Sequence, residues 1–142
     1  MNFIFYLLLI IMTVVMMEIF AIFAHKYIMH GPGWFLHKSH HEKNNKKTEL
    51  NDLYFVIFSL PSIYFIIRGL LHKNYVILSV GVGILLYGII YILLHDIFVH
   101  KRFGYNINLK NPIFKKIKLS HRKHHNSKTK ENCTNFGFIY YK

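Results

Sequence analysis

Eleven histidines lie among the 142 residues, and ten of them fall into two matching sets. The first is His25, His30, His37, His40 and His41; the second is His95, His100, His121, His124 and His125. Each set reads H-x4-H followed by H-x2-H-H, and only His72 stands outside. Neutral imidazole is the commonest side-chain metal ligand and suits iron, zinc and copper. On a helix, residues at i, i+3 and i+4 share a face. His37, His40 and His41 are therefore expected to point into one site, and so are His121, His124 and His125. Residues five apart on a regular helix differ by about 140° in azimuth. H-x4-H thus fits two imidazoles reaching different metals, or a helix that ends between them. Gly31-Pro32-Gly33, directly after His30, favours an end there. Ten imidazoles exceed the roughly four to six ligands of an ordinary ion, so two metals sharing about ten histidines is the economical reading. Loose binding by a His-rich tract is the bland alternative. Two copies of a paired pattern, each at the edge of an apolar run, argue against it.

Three apolar runs must position these sets. Residues 2–24 are nearly all apolar, carry no Lys or Arg, and are long enough for a bilayer core, which needs about 20 residues. They lack a basic start and lead straight into the histidines, so a cleaved signal peptide is not expected. Glu18 is the exception within the run. An ionisable group at that depth is a functional candidate by default. It lies seven residues before His25, on the same helix face, where it can hydrogen-bond a ligand histidine or a polar group of another helix. A protonated carboxyl packed between helices is the plain alternative. Residues 31–52 are polar and basic, and Asn51-Asp52 reads as a helix N-cap. Residues 53–71 form a second apolar run, interrupted by Pro61; His72-Lys73-Asn74 is a tight turn; residues 75–94 form a third run. Gly81-Val82-Gly83 within it predicts close helix packing.

With three spans, both histidine sets fall on the same side of the membrane. Residues 25–52 hold five Lys, residues 95–142 hold eleven Lys plus Arg, and only Lys73 and nearby Arg68 sit toward the opposite face. The positive-inside rule then makes the histidines cytoplasmic and puts the N-terminus outside. The expected fold is an all-α membrane protein, a single domain over residues 1–142. It has about three transmembrane helices (2–24, 53–71, 75–94) and a cytoplasmic histidine-rich two-metal site.

Composition agrees: the chain is 53% hydrophobic with a formal net charge of +12. The one cysteine, Cys133, excludes an internal disulfide and an all-cysteine cluster. Neither G-x-G-x-x-G nor a Walker pattern occurs, so the chain does not house its own flavin or nicotinamide domain. The basic tail, residues 101–142, has no span. Topology and anionic lipids account for most of its charge, and it also suits docking of an acidic electron carrier. No other feature points to nucleic acid. The aromatic end, Phe136 to Tyr141, is expected under the site or at the interface.

Several stretches together resemble one family. They are Met17-Glu18, Ala24-His25-Lys26-Tyr27-Ile28-Met29-His30-Gly31, Trp34 with His37-x-Ser39-His40-His41-Glu42, and Asn51-Asp52-Leu53-Tyr54. To these add His95-Asp96 with Val99-His100, His121-Arg122-x-His124-His125, and Cys133-x-x-Phe136-Gly137-Phe138. In order and spacing they are similar to the bacterial β-carotene hydroxylases (carotene 3-hydroxylases), in the fatty-acid hydroxylase/sterol desaturase superfamily. The resemblance covers roughly residues 14–140. It implies a non-haem di-iron monooxygenase whose two irons are held by the ten histidines. It further implies dioxygen as co-substrate, electrons from a ferredoxin-type donor and its reductase, and an apolar carotenoid taken from the bilayer lipids. The implied reaction hydroxylates carbon 3 of the β-ionone rings of β-carotene, giving β-cryptoxanthin and zeaxanthin. Family members usually run on past the Phe-Gly-Phe motif, whereas this chain stops at Lys142, so its tail packing is expected to differ.

Asp96, Asp52 and Glu42, with Glu18, are candidates to accept the far N–H of a ligand histidine, which orients the ring and raises its basicity. Trp34 and Tyr54 either line the substrate pocket or belong to the interfacial aromatic belt. Within the superfamily, a carotenoid ketolase or a fatty-acid or sterol hydroxylase or desaturase is the alternative, because the histidines make the oxidant and do not choose the substrate. A membrane metal carrier or sensor is the alternative of another class; it should place ligands along a path through the bilayer, not all on one face.

Overall fold

The computed structural model describes residues 2–42, 48–105, 107 and 109–140. Five α-helices and no strand occur among them. Helix α1 (Phe3–Phe23) starts where the Asn2 side chain accepts the Phe5 N–H at 3.1 Å. It passes without a break into a π-helical turn, Ala24–Met29. Helix α2 (Trp34–His41) is short and carries three histidines. Helix α3 (Asp52–Leu71) continues through Pro61. The missing proline N–H is tolerated inside a membrane helix whose neighbours supply compensating contacts. Helix α4 (Tyr75–Tyr91) is capped by Asn74, whose side chain accepts from Val76 and Ile77 N–H, and it continues as a second π-helical segment, Ile92–Val99. Helix α5 (Pro112–His124) begins at Asn111 with proline in its first turn.

Three continuous helical stretches are long and apolar enough to cross a membrane: Phe3–Met29, Asp52–Leu71 and Tyr75–Val99. The first and third run about five residues beyond the expected ends at 24 and 94. The π segments add those residues, and they carry His25 and His95 inside helix rather than after it. Asn51 marks the start of α3 as expected, yet its side chain makes no capping bond; Asp52 Oδ2 accepts the Glu49 N–H instead, at 3.0 Å.

The outer faces of the spans are bare Leu, Ile, Val and Phe, which suits contact with lipid, where association relies on close packing between small residues. That packing is seen on α4. A Cβ on Gly81 would lie 2.8 Å from the Ile66 backbone nitrogen, and one on Gly83 would lie against Thr13 of α1. Ser62 donates to the Gly81 carbonyl at 2.8 Å across the same contact. Helix α4 is thus the central member, packed on α3 and on α1. An odd number of spans puts the end of α1, the start of α3 and the end of α4 on one side, beside α2 and α5.

Gly81→Val is expected to force α3 and α4 apart. Overpacking of this kind costs about 1–3 kcal/mol, so the thermal midpoint of the detergent-solubilised protein should fall. An unchanged midpoint would contradict the close contact.

Candidate metal centre

Both expectations about histidine spacing are corrected by the structure. The H-x4-H pairs do not diverge to different metals; the first helix does end before Gly31-Pro32-Gly33 as expected, with His30 as its C-cap, and His100 caps the other segment likewise. In each pair the backbone takes i→i+5 bonds: His30 N–H donates to His25 O at 2.9 Å, and His100 N–H to His95 O at 3.0 Å. A π turn widens the helix so that residues five apart come onto one face, a device found at functional sites. The H-x2-H-H trios, in turn, do not stay together. His37 and His41 join His25, His30 and, from the other set, His124. His121 and His125 join His95, His100 and His40. Each trio keeps its i,i+4 pair and sends its middle histidine to the other group, because i+3 leans to one side of the shared face. The ten histidines thus form two groups of five, and within each group one ligand nitrogen per residue lies within 4.8 Å of all the others.

The protonation pattern can be read from the partners. A carbonyl or carboxylate oxygen only accepts, so a ring nitrogen facing one must carry the proton. Nδ1 of His25 donates to Phe136 O at 2.8 Å, His30 to Lys130 O at 3.2 Å, His41 to Ser127 O at 2.9 Å and His124 to Thr134 O at 2.8 Å. His37 Nδ1 faces Asn51 Oδ1 at 2.6 Å. In the other group, His40 Nδ1 faces Glu49 Oε2 at 3.0 Å, and His95 Nδ1 faces Asp96 Oδ1 at 2.8 Å. In these neutral rings Nε2 is then a bare lone pair. Yet Nε2 atoms meet one another: His25 and His37 at 3.0 Å, His37 and His41 at 3.2 Å, His30 and His124 at 3.1 Å, and His40 and His95 at 3.0 Å. His100 and His121 Nε2 lie 2.8 Å apart, and His125 Nε2 is buried without a hydrogen-bond partner among the described residues. Lone pairs aimed at each other repel unless a cation lies between them. Metal–nitrogen bonds of about 2.1 Å put adjacent ligands of an octahedral ion about 3.0 Å apart and opposite ones about 4.2 Å apart. The observed spacings fit, so each group can hold one metal ion.

Burial keeps these rings neutral and ready to ligate. It is the largest influence on each, holding His37 and His124 down to about 3 and His30 and His100 to about 4. His40 and His121 are held well below the usual imidazole value, first by burial and then by neighbouring imidazoles.

The other candidates separate clearly. Asp96 reaches His95. Asp52 reaches no imidazole; it grips Arg102 through both carboxylate oxygens at 2.7 and 2.8 Å, and Arg102 stands 3.7 Å from Asp96. Glu42 is corrected: it is solvent-exposed and pairs only with Lys38 among the described residues, at 3.4 Å. For Glu18 the second of its two expected roles holds, a bond to a polar group of another helix, and the role on a ligand histidine is corrected. Glu18 touches no histidine; it accepts N–H groups of Phe138, Ile139 and Tyr140 and the Tyr87 hydroxyl. Trp34 packs its ring within 5.1–5.2 Å of His30 and His41. Tyr54 is buried, donates to Gly33 O at 2.9 Å and lines an apolar cavity of about 350 Å³ between α1, α3 and α4. Phe138 closes that cavity against the histidines, stacked on His25 and edge-on to His95. Of the aromatic end, Tyr141 lies outside the described residues.

Glu49, Asn51 and Arg102 were missed by the sequence reading, as were the tail carbonyls. For Glu49 a signal existed: the chain has only six acidic residues, so every one merited a partner. A backbone carbonyl leaves no trace in residue type.

A family model described as fatty acid hydroxylase matches residues 10–141. A β-carotene hydroxylase of Pantoea ananas is 41% identical over 94% of this chain and 75% of its own length. One from Paracoccus sp. (strain PC1) is 39% identical over 94% of this chain and 82% of its own. The chloroplastic β-carotene hydroxylase 2 of Capsicum annuum is 35% identical over 79% of this chain and 37% of its own. No solved structure matches.

His124→Ala is expected to reach the membrane normally and to purify with about one metal ion fewer per chain, by elemental analysis. A normal metal content would contradict the grouping. In the metal-free protein the depressed imidazoles also set a pH dependence. Their unfolded value is about 6.5, so between there and about 3–4 the unfolded chain binds protons that the folded one does not. Stability is full above about pH 6.5 and is lost as pH falls through that window. A thermal midpoint flat from pH 7.5 to 5 would contradict this.

Proposed function

The chain belongs to the fatty acid hydroxylase family, and from that premise we propose that it is a membrane monooxygenase that hydroxylates carbon 3 of the β-ionone rings of β-carotene. The products would be β-cryptoxanthin and zeaxanthin. The single observation that carries the reading is an apolar cavity separated from both histidine groups by one layer of rings, Phe138 and Tyr91. Met17, Phe20, Tyr54 and Phe58 supply much of the rest of the cavity wall. The wall is almost wholly apolar, and the hydroxyls of Tyr54, Ser59, Ser62 and Tyr87 on it already donate within the protein, so it suits a hydrocarbon ring arriving from the bilayer.

In this reading the ten histidines hold two irons: His25, His30, His37, His41 and His124 one, and His40, His95, His100, His121 and His125 the other. Two irons with dioxygen and two electrons supply the oxidation of an unactivated C–H bond, which has no acidic proton for a general base to take. Everything else falls to the protein. Asp96, Glu49, Asn51 and the tail carbonyls keep the protons on Nδ1 and the lone pairs on the metal side. Arg102 and Asp52 brace Asp96. Tyr54, tied to Gly33 between the π turn and α2, fixes one wall of the ring pocket against the histidine helices. Phe138 and Tyr91 keep the space between cavity and metals dry.

The electron donor is proposed to be ferredoxin-type, with its reductase. The exposed cations of α5, among them Lys115, Lys116 and Lys123, offer an acidic carrier a landing face beside the metals. By the lysine and arginine distribution that face is cytoplasmic, in a bacterial inner membrane. A metal carrier is disfavoured, because all ten imidazoles gather at one end of the spans.

Expressed in cells that accumulate β-carotene, the chain should convert it to cryptoxanthin and zeaxanthin, seen by pigment chromatography. Keto-carotenoids, or unchanged β-carotene with iron-loaded protein and a donor present, would contradict the reading.

A further inference from the structure

Glu18 is buried in α1, about two turns before His25. Its Oε1 accepts three successive backbone N–H groups, from Phe138, Ile139 and Tyr140, each at 2.9 Å. Its Oε2 accepts the hydroxyl of buried Tyr87 at 2.7 Å. Successive N–H groups turned to one point form an anion-binding concavity, and four donors around one carboxylate are what a charge needs to remain buried. The fit is tight. A Cβ on Gly137 would collide with the Tyr140 carbonyl and lie 2.9 Å from Glu18 Oε1. No histidine is involved, so this cluster stands apart from the metal groups.

What it fastens does reach them. The tail just before the clamp lends its carbonyls to His25, His30, His41 and His124, four of the five histidines of one group. The other group is oriented differently. Its acceptors, Glu49 on His40 and Asp96 on His95, are side chains before α3 and in the π-helical segment after α4. Among the described residues the tail gives that group no hydrogen-bond acceptor, only the edge of Phe138.

We propose that Glu18 is a positioning residue for one metal only: it clamps the tail whose carbonyls orient the imidazoles of the first group, and leaves the second group independent. The inference rests on the two-metal reading. Without its carbonyl, an imidazole is free to turn or to move its proton to Nε2, which removes the lone pair from the metal. Loss of one such partner weakens metal binding about 10–100-fold, and release of the tail removes four together.

The test uses the full-length protein in detergent, stripped of metal and titrated anaerobically with ferrous iron. Glu18→Ala should weaken one of two sites at least about 10-fold and leave the other at the parent value. Glu18→Gln, which keeps an oxygen facing the three N–H groups, should recover most of that loss. Asp96→Asn should weaken the opposite site. Gly137→Ala dislodges the tail without touching the carboxylate and should reproduce the one-site loss, so the inference stays testable if Glu18→Ala does not accumulate. Equal weakening of both sites, or parent affinity in Glu18→Ala or Gly137→Ala, would overturn the clamp while leaving two metals in place. Fewer than two sites in the parent protein would overturn the two-metal reading and the clamp with it.

Discussion

Ten imidazoles gather in two groups, and in seven of them an acceptor on Nδ1 leaves the Nε2 lone pair turned toward its neighbours, an arrangement that a metal ion in each group would stabilise. Protonating the rings would destabilise it, since buried like charges repel. A cation between the nitrogens instead turns the repulsion of their lone pairs into attraction. Much of the rest follows from keeping those lone pairs exposed to one point. Two helices widen into π turns so that residues five apart converge. Seven of the far nitrogens are met by oxygens that only accept. Rigid apolar spans hold the ends of α1, α3 and α4 at a common level.

Much of this was legible in the residues. Apolar run lengths place three spans, and the odd number brings both histidine sets to one side. What failed was local geometry. An azimuth computed for a regular helix sends His25 and His30 to different metals, whereas i→i+5 bonds unite them. A shared-face argument keeps His37, His40 and His41 together, whereas the 100° step between successive residues is enough to send His40 across to His95. The partners of the histidines were the least visible. Four are backbone carbonyls of the tail, which any residue type supplies, and Asn51 reads as a helix cap until its side chain is seen turned to His37. Glu18 was visible as an oddity, but its partners lie 69 to 122 residues further along the chain.

The two groups repeat one plan with different supports. Each combines an H-x4-H pair, an i,i+4 pair and one histidine borrowed from the other set. One group leans on neutral acceptors, mostly from the tail; the other has the carboxylates of Glu49 and Asp96, the latter beside Arg102. A carboxylate makes its imidazole a stronger donor than a carbonyl does, so two metals in these sites would not be electronically alike. Phe138 joins the parts: its N–H is held by Glu18, its ring stacks on His25 and meets His95, and its far side faces the apolar cavity.

The exchange of the middle histidines is the central claim, and anomalous diffraction at the iron edge from crystals of the iron-loaded protein tests it most directly. Two peaks are predicted per chain. One should lie among the Nε2 atoms of His25, His30, His37, His41 and His124, the other among those of His40, His95, His100, His121 and His125. A single peak, or two peaks each ligated by one uninterrupted trio, would contradict the account.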